Sequence, residues 1–134
     1  MNKQELLQSF DRIYCRLKPS DHGIGVFAIR NIPEGVNPFS DCYMGEFIEV
    51  SPDELKDQPE AIRTMINDFC PLQDGVYQVP ECGMAAIDLS FYLNHSKEPN
   101  MRADKEGLDF YTNREIKEGE ELTVDYETYD DIGL

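Results

Sequence analysis

Basic residues are scarce in this chain of 134 residues, which carries 12 Lys and Arg against 27 Asp and Glu and a formal net charge of −15. Nucleic-acid binding depends on Lys and Arg side chains that neutralise phosphates. The charge therefore argues against direct binding of nucleic acid and favours cationic partners. Acidity also serves solubility alone in many proteins, and composition does not separate the two explanations.

Long apolar runs are missing as well. No segment approaches the roughly 18–20 apolar residues that span a bilayer, and residues 1–7 lack the apolar stretch of a signal peptide. We therefore expect a soluble intracellular protein without a membrane partner, cytoplasmic or, in a eukaryote, nuclear. The length and the composition, 40% hydrophobic and 29% charged, predict one globular domain over residues 1–134.

Potential metal ligands are few, because the chain has four Cys and only two His. The cysteines contain no Cys-x2-Cys pair, the close spacing from which zinc sites are normally built. The sequence thus predicts no metal site and, for an intracellular protein, no disulfides. The cysteines are Cys15, Cys42, Cys70 and Cys82.

Short runs rich in β-branched and aromatic residues alternate with Gly, Pro, Asn and Asp along most of the chain. This alternation predicts a mainly β fold of short strands joined by turns. The predicted strands are 12–17, 26–29, 43–50, 76–79, 101–103, 108–112 and 121–126.

One segment departs from the strand pattern. Ser51 and Glu54 supply an N-cap and a capping-box acid, with a proline at the first helical position between them. Apolar residues then follow at helical spacing, and Pro59 should divide the segment into a short turn and a longer amphipathic helix. We therefore expect one or two short helices over residues 52–69.

Residues 22–28, His-Gly-Ile-Gly-Val-Phe-Ala, formally match the G-x-G-x-x-A dinucleotide fingerprint. That fingerprint requires a helix that begins at the glycines, whereas the residues that follow have a strand pattern and a turn soon ends it. The dinucleotide interpretation is therefore rejected. Gly23 and Gly25 remain either a place where a ligand approaches the backbone closely or simply a tight turn.

Two later motifs also have ordinary explanations when each is taken alone. Residues 94–100, Asn-His-Ser-Lys-Glu-Pro-Asn, follow an aromatic strand and are typical turn formers. A triad of Ser96, His95 and Asp88 is disfavoured, because adjacent Ser and His seldom face each other and no G-x-S-x-G motif is present. Residues 112–126 would form a charged hairpin.

Taken in order, the three motifs resemble those of SET domains, the S-adenosylmethionine-dependent protein-lysine methyltransferases. They are the glycine turn, Asn-His-Ser-x-x-Pro-Asn and Glu-Gly-Glu-Glu-Leu-x-x-Asp-Tyr, and they span residues 22–126. The resemblance implies a β-clip fold in which the C-terminal segment passes beneath the Asn-His-Ser loop as a pseudoknot. We expect a minimal, stand-alone domain without a following zinc cluster, with motifs over about 12–129 and a variable insert at about 49–80.

The resemblance also assigns roles to individual residues. Those expected to hold S-adenosylmethionine through backbone or side chain are Gly23, Ile24, Gly25, Asn94 and His95. The expected catalytic residue is Tyr126. Those expected along the channel that admits the substrate lysine are Val124, Tyr92, Tyr129 and Tyr43. No residue is expected to bind a metal.

These residue types suit methyl transfer to an amine. A lysine with a pKa of about 10.4 is neutral only about once in 2,500 at pH 7, but a nearby sulfonium and a dry channel both lower that pKa. No dedicated general base is then required. A phenol such as Tyr126, beside backbone carbonyls, can align the amine and accept weak C–H···O contacts from the methyl group. Val124 is smaller than the usual Phe or Tyr, which suggests room for multiple methylation.

The expected substrate is a lysine of a basic protein or peptide, such as a histone tail or another Lys-rich protein. Tyr129 or a second subunit of a homodimer would close the channel. Acidic residues expected on the lysine side would attract the substrate, and they are Glu120, Glu121, Asp125, Glu127, Asp130 and Asp131. The alternative is a non-catalytic SET-like module that binds a basic peptide or partner protein.

Overall fold

The computed structural model describes residues 1–40, 46–104 and 109–130. Within these ranges the regular elements are two α-helices, nine short strands and several single-turn 3₁₀ helices. The helices are α1 (Lys3–Ser9) and α2 (Glu60–Phe69). The strands are β1 (Cys15–Ser20), β2 (Gly23–Ala28), β3 (Phe47–Val50), β4 (Leu72–Gln73), β5 (Val76–Pro80), β6 (Asn94–His95), β7 (Met101–Ala103), β8 (Phe110–Thr112) and β9 (Glu121–Val124). The prediction of a mainly β fold is confirmed.

Four strands form the main sheet in the order β1-β2-β9-β6. β1 and β2 are an antiparallel hairpin, and Val26 of β2 lies opposite Leu122 of β9. β6 runs parallel to β9, with Asn94 opposite Thr123. The C-terminal motif on β9 is therefore placed between the glycine strand and the Asn-His strand, although the three are far apart in sequence.

The chain that follows β6 wraps around β9. The N–H of Ser96 donates to the carbonyl of Val124 at 3.0 Å. The buried side chain of Asn100 bonds β9 twice, donating to the Glu121 carbonyl at 2.8 Å and accepting from the Thr123 N–H at 2.9 Å. Both polar ends of this buried amide are thus satisfied. The loop 96–100 is thus bonded along β9, the placement that the expected pseudoknot requires.

The larger hydrophobic core lies against the main sheet. Ile32 and Ile116 form an antiparallel bridge behind it and exchange backbone hydrogen bonds of 2.8 and 2.9 Å. Full burial of such a side chain contributes on the order of 1.5–3 kcal/mol. The apolar residues with no exposed surface are Val26, Ile32, Ile116, Leu122 and Val124.

Residues 47–80 form a second, smaller unit, in which a sheet of order β3-β5-β4 packs against α2. The predicted capping box is present, since Glu54 N–H donates to Ser51 Oγ at 3.2 Å and Ser51 N–H donates to Glu54 Oε1 at 3.1 Å. It begins a 3₁₀ turn, and Pro59 precedes α2 as expected. The core of this unit has three buried apolar residues, Leu55, Ile66 and Cys70.

The start of the chain differs from the prediction. α1 is not anticipated by the strand pattern, yet Asn2 caps it by accepting a hydrogen bond from the Glu5 N–H at 2.8 Å. The strand predicted at 12–17 begins instead at Cys15 and continues through Pro19. A proline is tolerated there because β1 is an edge strand, with a hydrogen-bonded neighbour on one side only.

The aromatic run before β6 is also not the strand that its composition suggests. It is a 3₁₀ helix, Leu89–Tyr92, capped by the Asp88 carboxylate, which accepts from the Ser90 N–H at 2.8 Å. The strand predicted at 43–50 is seen as β3, and its first residues lie outside the described part of the chain. In the described ranges, no helix combines the length and the apolar character that a membrane span requires.

Candidate active site

The two glycines of the first motif belong to a strand, which rules out the helix that a dinucleotide site requires. Gly23 begins β2 with a φ of +101°, a conformation that favours glycine. At Gly25, an added Cβ would overlap the Glu121 carboxylate and come within 3.1 Å of Asn94 Nδ2. The absence of a side chain at this position lets two polar groups approach the backbone of β2.

Asn94 links the glycine strand to the C-terminal motif. Its amide nitrogen Nδ2 donates to Ser20 Oγ at 3.2 Å, to the Ile24 carbonyl at 3.2 Å and to Glu121 Oε2 at 2.7 Å. Since the amide has two hydrogens for these three acceptors, at least one hydrogen is shared. The structure thus brings together four of the five residues predicted to hold the cofactor, Gly23, Ile24, Gly25 and Asn94.

Glu121 belongs to this cluster, although the sequence analysis assigns it to the lysine side. Its carboxylate accepts the shortest of the Asn94 hydrogen bonds and lies over Gly25. A negative charge here favours a cationic group bound between the strands, such as an ammonium or a sulfonium. Glu121 is not among the residues predicted to hold the cofactor, and its only sequence signal for this position was its place in the Glu-Gly-Glu-Glu-Leu-x-x-Asp-Tyr motif.

His95, the fifth predicted cofactor residue, contacts the predicted catalytic tyrosine. The Tyr126 N–H donates to His95 Nδ1 at 3.0 Å, and the two rings are 5.2 Å apart between centroids. Because Nδ1 accepts a hydrogen bond, the hydrogen-bond network assigns the ring proton to Nε2. Asp125 Oδ1 lies 3.7 Å from the same nitrogen and would pair with a protonated ring. The His95 side chain therefore holds the backbone of Tyr126 through Nδ1.

The Tyr126 hydroxyl donates to the Leu93 carbonyl at 2.5 Å. Burial raises the pKa of this phenol, and the nearby carboxylates Asp130 and Glu121 raise it further. The phenol is consequently neutral at physiological pH, with its one proton committed to a backbone carbonyl. Its oxygen lone pairs remain able to accept a hydrogen bond from an amine.

Two of the predicted channel residues, Tyr129 and Tyr92, pack against aromatic rings, but in different parts of the molecule. The ring of Tyr129 packs edge-on against Phe110 at 5.5 Å and Tyr126 at 6.2 Å. Burial raises the pKa of the Tyr129 phenol, so that it is also neutral. The ring of Tyr92 packs instead on Phe69 at the end of α2, 5.3 Å between centroids. Tyr129 thus lies beside the predicted catalytic residue, and Tyr92 contacts the insert.

The other two predicted channel residues are not seen at an open surface. Val124 lies in β9 and has no exposed surface, so its side chain is part of the larger core. Tyr43 lies outside the described residues. The channel role of both therefore remains a prediction.

The acidic residues near the C-terminus are engaged within the protein. Arg114 pairs with Glu120 at 3.0 Å and lowers the pKa of that carboxyl. Lys97 forms a close ion pair with Glu127, whose hydrogen bond raises the lysine pKa. Asp131 lies outside the described residues. Among the residues that the structure describes, no three His, Cys, Asp or Glu side chains are grouped as potential metal ligands.

Comparison with known proteins agrees with this geometry. A family model of the SET domain matches residues 23–127, more than half of the chain. A similar fold is found in the crystal structure of a Plasmodium falciparum protein described as a "putative histone methyltransferase". The TM-score is 0.54 and the identity 16%, over 84% of this chain and 92% of that chain. No curated protein sequence matches. The glycine, Asn-His-Ser and Asp-Tyr motifs all fall inside the matched residues, and the chain belongs to the SET-domain family.

Proposed function

We propose that the protein is a protein-lysine methyltransferase that uses S-adenosylmethionine. The proposal rests on the hydrogen bonds of three consecutive residues, Leu93, Asn94 and His95, which connect the glycine strand to Tyr126. The Leu93 carbonyl accepts from the Tyr126 hydroxyl, the Asn94 amide bonds Ile24 and Glu121, and the His95 ring accepts from the Tyr126 N–H. The backbone of β2 at Gly25, with the Asn94 and Glu121 side chains, forms what we call the glycine cradle, which can hold a cationic group. The three residues thus fix this cradle relative to the neutral Tyr126 phenol.

The residues around Gly25 fit the proposed cofactor. A Cβ at this position would overlap the Glu121 carboxylate and crowd the Asn94 amide, so a glycine is needed for these two polar groups to lie against the backbone of β2. The Glu121 carboxylate and the Asn94 amide offer hydrogen bonds and negative charge to an amino acid ammonium group. When bound, S-adenosylmethionine supplies a methyl group on a positively charged sulfur, which is open to attack by an amine.

Tyr126 would align the incoming lysine. Its proton is held by the Leu93 carbonyl, so the phenol oxygen can accept a hydrogen bond from the neutral amine and direct the nitrogen lone pair towards the methyl group. The proton lost from the lysine on its way to the neutral amine goes to solvent. The ordered phenol and carbonyl also provide oxygens for weak contacts to the methyl hydrogens.

The proposed substrate is a lysine in a basic protein or peptide. A net charge of −15 favours encounter with such a partner. The Glu120 and Glu127 carboxylates are paired with Arg114 and Lys97, so the attraction near the site comes from the other acidic residues. Core histones are a reasonable first substrate to test, and a homodimer is a possible form of the active protein.

Calorimetric titration with S-adenosylmethionine tests the cofactor part of the proposal. We expect the wild-type protein to bind it, and Gly25→Ala to weaken binding by about tenfold or more, a loss of about 1.4 kcal/mol, because the new Cβ displaces Glu121 and Asn94. Gly35→Ala strains the backbone of a surface glycine with a φ of +80° and open space around its Cβ position, and it is the control for a loss of stability away from the site. Absence of binding to the wild-type protein would support the alternative of a non-catalytic module.

A further inference from the structure

The residues after Tyr126 lie between the main sheet and the insert. They form a one-turn 3₁₀ helix, Tyr126–Thr128, which Asp125 caps by accepting from the Glu127 N–H at 3.0 Å. The turn is closed by the N–H groups of Tyr129 and Asp130, which donate to the Tyr126 carbonyl at 3.2 and 2.9 Å. These local bonds shape the turn but do not determine its position relative to the insert.

Two further hydrogen bonds join this turn to β4 of the insert. Gln73 Nε2 donates to the Tyr129 carbonyl at 2.8 Å, and the Leu72 N–H donates to Asp130 Oδ1 at 3.2 Å. β4 is at the edge of its sheet, with β5 on its other side. The C-terminal turn therefore occupies the edge of β4, and we call these four residues, Leu72, Gln73, Tyr129 and Asp130, the latch.

The latch acts on one side of the site only. It holds the backbone of Tyr129, whose ring packs against Tyr126 and Phe110. The partners of Asn94, by contrast, all belong to the strands β1, β2 and β9 of the main sheet. A change in the latch should therefore alter the surroundings of the Tyr126 ring without altering the glycine cradle.

We propose that Gln73 and Asp130 are positioning residues that hold Tyr129 as a wall of the lysine site. The inference rests on the proposed function, because it assigns the side of Tyr126 that faces Tyr129 to the substrate. In this arrangement the insert determines how well the substrate lysine is bound, and the main sheet determines how well the cofactor is bound. Gln73 contacts neither ligand and acts through Tyr129.

The test compares Gln73→Met with Tyr77→Phe in a methyl-transfer assay. Met has a similar length to Gln but cannot donate to the Tyr129 carbonyl. Tyr77 also lies in the insert, where its hydroxyl donates to Asn67 Oδ1 at 2.8 Å, so Tyr77→Phe removes a hydrogen bond of the same length that does not reach the C-terminal turn. The substrate probe is a short degenerate peptide library with a fixed central lysine.

We expect Gln73→Met to raise the apparent KM for the library by about fivefold, the factor that one ordinary hydrogen bond is worth. The kcat should stay within about twofold and the Kd for S-adenosylmethionine should not change, as for a loss of uniform substrate binding. Tyr77→Phe should leave all three unchanged. Asp130→Ala should resemble Gln73→Met, whereas Asp130→Asn, which still accepts through Oδ1, should keep the wild-type KM.

Three results would overturn the inference. The first is an active wild-type protein whose KM is unaffected by both Gln73→Met and Asp130→Ala. The second is an equal rise with Tyr77→Phe, which would mean that general stability of the insert is responsible. The third is an equal rise with Asp130→Asn and Asp130→Ala, which would mean that the charge matters and the hydrogen bond does not. A wild-type protein that transfers no methyl group would instead refute the proposed function, and the inference with it.

Discussion

The main sheet and the insert differ in how their parts are held together. In the main sheet, strands from both ends of the sequence interlock, and the side chains between them, such as Leu122 and Ile116, are fully enclosed. In the insert, strands and helix are neighbours in sequence, and its core has three buried apolar residues. Local contacts of this kind form readily but bury little apolar area. We therefore expect the main sheet to be the more stable unit.

The residues proposed for chemistry follow this division. Asn94, His95 and Glu121 lie on strands of the main sheet, and Tyr126 follows directly after β9. A methyl transfer needs its groups held to within a fraction of an ångström, which a well-packed sheet provides. The insert reaches the site through Tyr92 and through the latch. On the proposal made above, changes in the insert should alter substrate binding while the reacting groups stay in place.

The largest expected loss of stability comes from truncating a side chain in the larger hydrophobic core. Leu122→Ala removes a fully enclosed side chain from β9 and should lower the free energy of unfolding by about 3–5 kcal/mol, with loss of cofactor binding. Ile66→Ala in α2 should cost less, about 2–3 kcal/mol, because the small core of the insert can partly collapse. Urea unfolding followed by circular dichroism measures both, since the chain has no Trp to report by fluorescence.

Cofactor binding by the folded Ile66→Ala protein sharpens this comparison. If the two units are distinct, the variant should bind S-adenosylmethionine with a Kd within about twofold of the wild type. If it loses as much unfolding free energy as Leu122→Ala and also loses the cofactor, the chain folds as one unit and the division is wrong.

A smaller loss of stability is expected at high pH, and it comes from a buried thiol in the insert. Burial raises the pKa of the Cys70 thiol from 9.0 to about 11, so the folded protein retains a proton that the unfolded chain has already lost. Stability should therefore fall as the pH rises from 9 to 11, by on the order of 2 kcal/mol from this thiol. The buried phenols of Tyr126 and Tyr129, whose pKa values are also raised, add to the loss above the ordinary tyrosine pKa.

Comparison of wild type and Cys70→Ala between pH 9 and pH 10 isolates the thiol, because the tyrosines are common to both proteins. The variant should be less stable than the wild type near neutral pH, owing to lost packing, but should have the flatter pH dependence. Cys82, which is exposed, serves as the control and its Ala variant should show the wild-type slope. An unchanged slope in Cys70→Ala would contradict the account.

Local sequence signals predicted the parts of the fold that depend on neighbours in sequence. The capping box at Ser51 and Glu54, the break at Pro59 and the strand Met101–Ala103 are found as predicted. The motif resemblance supplied the family and the pseudoknot, which no local pattern would have indicated. The same capping logic would have found α1, since the Asn2 side chain accepts from the Glu5 N–H and donates to the Glu5 carboxylate.

The features that were missed depend on contacts between distant residues. β6 has two residues and exists because it pairs with β9 in parallel, so its own composition gives no strand signal. β1 tolerates Pro19 because it is the edge strand of the main sheet in the described part of the chain, and position in a sheet is not visible in a single sequence. Glu121 is similar: its neighbours Gly25 and Asn94 are brought to it by the fold.

The central claim is that Tyr126 completes a site for methyl transfer to lysine. Its most direct test is incubation of the wild-type protein and Tyr126→Phe with methyl-labelled S-adenosylmethionine and a proteome extract, followed by mass spectrometry of the labelled residues. The account predicts methyl groups on lysine side chains with the wild type, and a rate at least about 100-fold lower with Tyr126→Phe, a loss of about 2.7 kcal/mol of transition-state stabilisation. Cofactor affinity should be nearly unchanged. Equal labelling by both proteins, or no labelled lysine with either, would contradict it.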